Sequence, residues 1–281
     1  MGLKQNNMDV NVVKDFGSEW SRFDQSSLSD ADRRAMFENY FHIFPWDSLP
    51  SGSIGADIGC GSGRWASLIA PRVGHLHLLD PSGDALAVAR QNLSNAANVS
   101  FYQVSVDDLP FKGGSLDFAY SLGVLHHVLD TADAIRSIAH VLKPGAPFLV
   151  YLYYAFDQRP WWFRAVWRVS DMLRRFISRM PIFIKNFIGE AIALLIYLPL
   201  SRFALLLEKF GILPDPWPLA YYRNRGYYVM RTDALDRFGT RMEKRFSRQE
   251  IKAMLQSAGF TDIRFSETQP FWCAVGIKGG H

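Results

Sequence analysis

Cysteine is scarce in this sequence, and a leading apolar stretch is missing. The chain has two cysteines in 281 residues, Cys60 and Cys273, and they lie far apart. This count and spacing exclude a disulfide framework and a cysteine-rich metal site, and they predict a reducing, cytoplasmic environment. The first 17 residues are polar, which argues against a secretory signal. The length allows one large α/β domain with additions, or two small domains.

Positive charge is scarce outside one segment. The whole chain has a net charge of +4, yet residues 157–246 hold 16 Lys and Arg against 8 Asp and Glu. The rest of the chain holds 15 against 19. The basic excess is therefore a property of one aromatic-rich segment, and it bears on what that segment contacts.

The sequence shows no internal repeat, but it has a clear alternation that begins near residue 53. Short β-rich apolar runs alternate with helical patterns, which predicts βαβ units and a parallel sheet. Regular order resumes with the capping-box pattern of Ser247 and Glu250. The predicted strands are 53–58, 75–80, 98–104, 115–122 and 146–154, with an antiparallel hairpin at 260–268 and 271–278. The predicted organisation is an N-terminal helical lid (1–48), a core (49–155), a helical insertion (156–246) and a C-terminal return to the core sheet (247–281).

A glycine loop follows the first predicted strand and marks a ligand site. Gly59, Gly61 and Gly63 allow a ligand to approach the backbone closely at a helix N-terminus. The second strand ends at Asp80, at the spacing that suits hydrogen bonds from ribose hydroxyls. The segment from Gly61 to Ala66 also satisfies G-x-G-x-x-A. The loop and Asp80 therefore fit a dinucleotide as well as a nucleoside cofactor.

Three further motifs favour the nucleoside cofactor. Asp57 directly precedes the glycines, where a carboxylate can reach the amino group of a methionine moiety. After the third strand, Val106-Asp107-Asp108-Leu109-Pro110 offers a carboxylate and a backbone amide to an adenine edge. The fourth strand leads to His126-His127 and is followed by Leu142-Lys-Pro-Gly145. In combination these motifs resemble the class I S-adenosylmethionine methyltransferases, close to the type 11 branch that includes the ubiquinone and menaquinone C-methyltransferases.

The resemblance covers residues 50–155 and 247–278. It implies an α/β fold with a three-layer, Rossmann-like sheet of seven strands whose last strand is antiparallel, here with a mainly helical insertion after strand 5. It also implies S-adenosylmethionine as the cofactor. Together with the aromatic insertion, the core motifs predict in-line methyl transfer to a small-molecule or lipid-like acceptor. The residues that the resemblance assigns to the cofactor are Asp57, Gly59, Gly61, Asp80 and Asp108. Their motif neighbours complete the predicted cofactor site: Cys60, Gly63, Pro81, Val106, Asp107, Ser121 and Leu122. No metal is predicted.

The ends of the fourth and fifth strands supply the candidates for methyl transfer. His126 and His127 follow strand four, although His127 would equally suit packing against the next helix. Tyr153 is a catalytic candidate and Tyr154 a substrate-binding one, and strand alternation lets only one of them point into the site. The segment from Ser121 stands where DNA amino-methyltransferases carry N/D-P-P-Y, which argues against that class. The two distant cysteines argue against an arsenic methyltransferase.

The insertion allows two interpretations. Residues 161–180 predict an amphipathic helix with an apolar face and an arginine face. It is either a lid docked on the core with a solvated basic face, or a helix at a membrane surface. Residues 191–200 form an apolar run that is too short to span a bilayer, so a buried or interfacial helix is expected.

Further acceptor contacts are predicted outside the core. Tyr222 and Tyr228 belong to a Tyr- and Arg-rich segment that would line a pocket, or else form a surface loop or dimer contact. Trp20 and His42 lie in the N-terminal segment. Alternative functions are RNA methylation, and membrane-associated binding on a methyltransferase fold. A nucleic-acid partner is disfavoured because no RNA-binding module is apparent. The expected location is cytoplasmic, with peripheral contact at the inner face of the membrane as an option.

Overall fold

The computed structural model describes residues 7–14, 17, 29–156, 160–212, 217–240 and 242–280. The chain divides into two compact units. We call residues 1–25, 35–157 and 242–281 the core unit, and residues 26–34 and 158–241 the insert unit. The predicted insertion, 156–246, therefore overlaps the insert unit, while residues 242–246 fall in the core unit.

A single sheet organises the core unit. Its strands are β1 (Ile54–Ile58), β2 (His75–Leu79), β3 (Val99–Tyr102), β4 (Phe118–Leu122), β5 (Pro147–Tyr151), β6 (Phe260–Phe265) and β7 (Cys273–Lys278). They are ordered β3-β2-β1-β4-β5-β7-β6. Strands β1 to β5 pair in parallel, whereas β7 is antiparallel to both β5 and β6. This topology confirms the predicted seven-stranded sheet, and it brings the carboxyl ends of β1, β2 and β4 to one edge, where ligands bind in such sheets.

The helices begin and end where the sequence supplies caps. They are α1 (Asp30–Phe41), α2 (Ala66–Ile69), α3 (Gly83–Asn92), α4 (Thr131–Val141), α5 (Trp161–Ile177), α6 (Ile182–Ile192), α7 (Leu198–Lys209), α8 (Tyr227–Gly239) and α9 (Arg248–Ser257). Ser82 and Asp130 each accept a backbone N–H at the start of α3 and α4. The predicted capping box of Ser247 and Glu250 is present at α9.

The insert unit is helical and has its own small core. Its buried apolar residues come from α5, α8 and the π-helical segment Ala193–Tyr197 that joins α6 to α7. They are Ile177, Ala193, Tyr197, Met230, Ala234 and Phe238. The apolar contacts of the unit therefore converge on α8.

The apolar run at 191–200 belongs to a much longer helix than the sequence suggested. From α6 to α7 the chain forms one 28-residue helix, Ile182–Lys209, which is long and apolar enough to cross a membrane. The prediction that the segment is too short to span is therefore wrong. The expected limit rested on Pro199 and Arg202, but Pro199 lies in the first turn of α7 and the helix continues past Arg202. Two charged residues in the N-terminal half of the helix also have partners in the insert unit. Lys185 Nζ donates to Gly239 O (3.3 Å) and Glu190 Oε1 accepts from the Tyr227 hydroxyl (2.9 Å).

Helix α5 packs within the insert unit mainly through its polar side. The side chains that it buries are Asp171, Arg174 and Ile177. Val169, Met172 and Phe176 on its apolar face are exposed. Both interpretations of this helix, the lid and the membrane-surface helix, stay predictions.

Candidate active site

The loop after β1 has a conformation that glycine alone adopts without strain. Gly59, Gly61 and Gly63 have φ values of +78°, +53° and +73°. A Cβ on Gly59 would lie 2.4 Å from Val124 Cγ1. The N–H groups of Gly59 and Cys60 donate to Leu79 O at 2.7 and 3.0 Å, which holds the loop against the end of β2. The loop is therefore a tight cradle that a side chain would fill.

Asp80 is fixed at the end of β2 by the same loop. Its Oδ2 accepts Gly61 N–H at 3.0 Å, and its Oδ1 accepts Ser82 N–H at 2.8 Å. Burial raises the pKa of Asp80 to about 6, and these two hydrogen bonds oppose the rise. A carboxylate oxygen accepts more than one hydrogen bond, so Asp80 keeps acceptor capacity toward the cavity it lines.

Asp57 is a buried carboxyl with one oxygen, Oδ2, that accepts no hydrogen bond from the described residues. Burial raises its pKa to about 8; the Tyr120 hydroxyl opposes the rise and the Asp80 carboxylate adds to it. Among the described residues, nothing donates a hydrogen bond to Asp57 Oδ2. Such an atom costs about 1–3 kcal/mol when buried. A ligand ammonium group would compensate that cost, so the arrangement fits a cationic ligand near β1.

Two cavities adjoin the glycine loop, and Gly59, Val124 and His127 line both. The first has an apolar lining that includes Ile58, Leu79, Pro81, Val104, Val106 and Leu109, together with Met8, Asp9, Val12 and Val13 near the N-terminus. The second is lined by the glycine loop, Arg64, Trp65, Asp80 and Leu122. An apolar cavity and a neighbouring one that contains a carboxylate and an arginine suit the base and the polar groups of a nucleoside cofactor.

His127 reaches both cavities and has a defined tautomer. Its Nδ1 lies 2.5 Å from Met242 O. Because a carbonyl oxygen only accepts, Nδ1 must carry the hydrogen, and Nε2 holds the lone pair of the neutral ring. His127 is therefore oriented as a proton acceptor at the wall shared by the two cavities.

His126 stands beside it but is completely buried. Its ring centroid lies 4.0 Å from that of His127 and 3.8 Å from that of Tyr153, on which it stacks. Burial lowers the pKa of His126 well below its usual value, and the charges of His127 and Arg245 lower it further. The imidazole of His126 is therefore neutral. Its ring belongs to a row of packed aromatic side chains, here called the aromatic layer, that extends from Trp65 to His127.

That layer joins two residues that line the second cavity. Successive ring centroids lie 5.2, 5.2, 5.8, 3.8 and 4.0 Å apart along Trp65, Tyr40, Tyr151, Tyr153, His126 and His127. Trp65 and His127, at the two ends, both line the cavity. These two rings therefore offer the cavity flat surfaces for stacking, and the four rings between them pack in a continuous row.

The remaining predicted cofactor residues are placed as follows. Pro81 and Val106 line the first cavity, and Cys60 and Leu122 line the second. Asp108 is exposed and Asp107 accepts the Ser105 hydroxyl hydrogen, so the half-buried Asp107 lies deeper than its neighbour. Ser121 is buried and its hydroxyl donates to Ile58 O at 2.8 Å. Asp57, Gly63, Asp107, Asp108 and Ser121 lie outside the described linings of both cavities. The cofactor roles of all the predicted residues stay predictions.

The predicted acceptor residues are scattered. Tyr154 packs against Phe156 and Phe271 in the core unit. His42 is exposed and lies 3.4 Å from the Ser266 hydroxyl. Trp20 lies outside the described residues. Tyr222 and Tyr228 belong to the insert unit, where the Tyr222 hydroxyl donates to Asp233 (2.9 Å) and Arg231 lies over Tyr228. Their roles also stay predictions.

Sequence reasoning missed several residues of the site. Val124 and Trp65 line the cavities without carrying a motif. Met242 and Arg245 reach the histidines from the segment after the insertion, and Arg245 lies 5.2 Å over the Tyr153 ring. The pairing of Phe246 N with Tyr153 O (2.8 Å) brings this segment alongside β5. Only the basic pair Lys244-Arg245 before the capping box hinted at a role there.

Comparison with known proteins agrees with this geometry. Residues 56–150 match the family described as a methyltransferase domain. The ubiquinone biosynthesis O-methyltransferase of Xanthomonas axonopodis is 28% identical over 187 residues, covering 66% of this chain and 74% of that protein. A tRNA (carboxymethyluridine(34)-5-O)-methyltransferase of Mus musculus is 31% identical over 112 residues, covering 38% and 15%. The chain spans less than half the length of most curated relatives it matches.

A solved structure shares the fold. Phosphoethanolamine N-methyltransferase 2 of Haemonchus contortus, in complex with phosphomonomethylethanolamine and S-adenosylhomocysteine, superposes with a TM-score of 0.50 at 17% identity, covering 92% of this chain and 44% of that one. Sheet order, glycine loop and paired carboxylates define a nucleoside-binding α/β domain. The match over residues 56–150 identifies a methyltransferase domain in this chain, and its sheet is that of the class I S-adenosylmethionine-dependent type. The unpaired Asp57 oxygen and the glycine cradle fit that cofactor.

Proposed function

We propose that the enzyme transfers the methyl group to the hydroxyl oxygen of a small, flat acceptor that binds next to the cofactor, against the part of the second cavity that His127 and Trp65 line. The observation that carries this proposal is the orientation of His127, whose Nδ1 is held by Met242 O while the ring lines the cavity. A neutral imidazole oriented in this way is suited to accept a hydroxyl proton near neutral pH.

The aromatic layer supports an acceptor with a ring. Trp65 and His127 border the cavity, and Tyr40, Tyr151 and Tyr153 connect them. Aromatic pairs gain about 0.5–1.5 kcal/mol beyond their buried area. The printed function of the Xanthomonas relative, O-methyl transfer in ubiquinone biosynthesis, is consistent with this chemistry.

The residues of the chain divide the work of the reaction. S-adenosylmethionine, when bound, supplies a sulfonium methyl whose C–S bond breaks as the new C–O bond forms. Asp80 and the glycine loop hold the nucleoside, and Asp57 compensates the ammonium charge. His127 Nε2 takes the proton of the attacking hydroxyl. Positioning two reactants contributes roughly 7–11 kcal/mol, and a placed base contributes about 10²- to 10⁴-fold in rate.

The test begins with the acceptor. The full chain is incubated with methyl-labelled S-adenosylmethionine and fractionated metabolite extract, and labelled products are identified by mass spectrometry. We expect a methoxy product. Label on nitrogen or carbon would contradict O-methylation, and transfer to macromolecular RNA alone would contradict the small-acceptor proposal.

The role of His127 is tested with the identified acceptor. His127→Gln should lower kcat by about 10²-fold or more, as expected for loss of a general base. Cofactor affinity, measured by calorimetry with S-adenosylhomocysteine, should change much less. His127→Phe is the matched control, since it keeps a flat ring in the aromatic layer but has no proton acceptor; activity retained in His127→Phe would show that His127 acts through packing.

A further inference from the structure

The insert unit has helices whose burial pattern is reversed. On α5 the large apolar residues at helical spacing face outward, and Met172 is 71% exposed. Six of them are more than half exposed: Trp161, Val166, Val169, Met172, Leu173 and Phe176. The opposite side buries Arg174, whose Nε donates to Asp171 Oδ1 at 2.8 Å and whose Nη1 donates to Thr240 O at 2.9 Å. An amphipathic helix on a water-soluble domain buries its apolar stripe instead.

The 28-residue helix Ile182–Lys209 repeats this pattern. Its buried side consists mostly of small or polar residues at intervals of about four: Lys185, Gly189, Ala193, Tyr197, Ser201 and Ala204. Its outer side carries large apolar residues, including Phe183, Phe187, Leu194 and Leu195, which are more than half exposed. Phe210 and Ile212, directly after the helix, are exposed as well. Small residues inside and large apolar residues outside are typical of helices that contact lipid.

The two helices therefore present an exposed apolar surface. We define it by the outward residues of α5 together with Phe183, Phe187, Leu194, Leu195, Phe203, Leu206, Phe210 and Ile212. Soluble monomers rarely expose large contiguous apolar patches. Burying a side chain of this size is worth roughly 1.5–3 kcal/mol. A surface with this many such side chains needs an apolar environment to cover it.

Charge indicates which environment this is. Arg164, Arg168 and Arg175 recur at helical spacing along one border of the apolar stripe of α5, and Arg179 follows the helix; all four are exposed. The segment 157–246 carries 16 basic against 8 acidic residues. A Trp- and Phe-rich face bordered by arginines matches the interface of an anionic bilayer, since each basic residue near such a surface adds about 1 kcal/mol.

We propose that the exposed apolar surface of the insert unit inserts into one face of a bilayer that contains anionic phospholipid. Glu190 and Arg202 are 12 residues apart, about 18 Å along a helix, whereas the hydrocarbon core is about 30 Å thick. Glu190 is held by Tyr227 and lies 3.5 Å from Arg231, both on α8. The helix therefore lies in the interface, and this surface is independent of the acceptor proposed above.

The experiment is flotation of the full chain with two kinds of vesicle. One is pure phosphatidylcholine, and the other contains three parts phosphatidylcholine to one part phosphatidylglycerol. We expect strong binding to the anionic vesicles and at least roughly tenfold weaker binding to the neutral ones. The triple variant Phe176→Ser, Phe183→Ser, Phe187→Ser should lose binding to both. The triple variant Arg164→Gln, Arg168→Gln, Arg179→Gln should lose the preference for anionic lipid.

Matched controls distinguish binding through this surface from nonspecific hydrophobic binding to vesicles. Val10→Ser and Leu129→Ser change exposed apolar residues of the core unit and should bind vesicles like the parent chain. Cofactor binding by every variant verifies that the core is folded.

Four results would overturn the proposal. The first is absence of flotation with either vesicle. The second is vesicle binding that the serine substitutions leave unchanged. The third is a parent chain that does not bind vesicles and forms a dimer in light scattering, with the serine variant monomeric, because this would assign the surface to a second copy. The fourth is cleavage at one end of Ile182–Lys209 by protease outside sealed vesicles while the other end is protected, because this would replace surface insertion with spanning.

Discussion

The two units of the molecule differ in the charged side chains that they bury and in the apolar side chains that they expose. In the core unit, the sheet strands bury Phe118, Phe148 and Val275, and the carboxyls of Asp57 and Asp80 are buried near the carboxyl ends of β1 and β2. In the insert unit, the pair Arg174–Asp171 and Lys185 are buried, while Phe183 and Phe187 face outward. The contrast indicates that the side chains a unit exposes, and not the amount of its regular structure, reflect the medium that we propose for it.

The largest effect on unfolding free energy is expected from breaking a buried ion pair of the insert unit. Both side chains of the Arg174–Asp171 pair are about nine-tenths buried. Burial would raise the pKa of Asp171, but the hydrogen bonds and charges of Arg174 and Arg175 outweigh it and lower the pKa. Arg174→Ala should therefore cost about 3–5 kcal/mol of unfolding free energy, because it leaves a buried carboxylate unpaired.

Arg175 provides the matched control. It also pairs with Asp171, at 2.9 Å, but its side chain is 68% exposed. Arg175→Ala should cost less than about 1 kcal/mol in the same denaturant titration, as exposed pairs do. Equal losses in the two variants would contradict the view that the interior of the insert unit is held by buried polar contacts.

The next test addresses the cradle in the core unit. Gly59→Ala would place a Cβ 2.4 Å from Val124 Cγ1 at a φ of +78°. We expect the affinity for S-adenosylhomocysteine to fall by about 100-fold, equivalent to about 2.7 kcal/mol. Gly52 has a similar φ of +72° but no atom within 4 Å of the added Cβ.

Gly52→Ala should consequently cost only the backbone strain, about 1–2 kcal/mol of stability. Its cofactor affinity, measured by isothermal titration, should match that of the parent. If Gly52→Ala weakened binding as much as Gly59→Ala, backbone strain alone and not space at the cradle would explain the effect.

A smaller effect is expected from a change at Asp80, the predicted ribose ligand. Asp80→Asn keeps the shape of the side chain but replaces one of the two oxygens that accept Gly61 N–H and Ser82 N–H. We expect cofactor affinity to fall by about tenfold, or 1.4 kcal/mol. Asp84→Asn, an exposed carboxylate in the first turn of α3, is the control and should bind normally. Unchanged affinity of Asp80→Asn would remove Asp80 from the cofactor site.

Much of the core unit could be predicted from local signals. Strand alternation, the glycines after β1 and the capping box of Ser247 are encoded within a few residues, so their positions followed from the sequence. The antiparallel β7 followed from the resemblance to a known family. The choice of Asp108 over Asp107 had no such basis. The sequence of two adjacent carboxylates does not indicate which one is exposed, and in the structure it is Asp108.

The insert unit could not be predicted as well, because its sequence patterns fit more than one structure until the tertiary contacts are known. An apolar stripe such as that of α5 has the same period whether it faces a core or a lipid. Lys185 and Glu190 interrupted the apolar run in sequence, yet their partners Gly239 and Tyr227 lie far along the chain. Met242 was missed for a similar reason, since its contact with His127 spans 115 residues.

The smallest expected effect concerns Asp57 and the pH dependence of stability. Its pKa is raised to about 8 in the folded chain, against 3.8 as the ordinary value. The folded state therefore binds a proton that the unfolded state has released, so stability from this group is present at low pH and is lost as pH rises through 8. Between pH 6.5 and 8 the thermal stability of the parent chain should fall, by on the order of 1 kcal/mol.

The comparison with Asp57→Asn separates this carboxyl from the buried histidines. The pKa values of His77 (about 4) and His126 are lowered by burial, so both imidazoles are neutral in the folded chain above pH 6.5. In the unfolded chain they still lose protons just above pH 6.5, which opposes the decline equally in the parent and in the variant. Asp80, with a pKa of about 6, has largely lost its proton there. Asp57→Asn should flatten the decline, and Asp117→Asn should keep it. A parallel decline in Asp57→Asn would show that another group, and not the unpaired carboxyl near β1, titrates in this range.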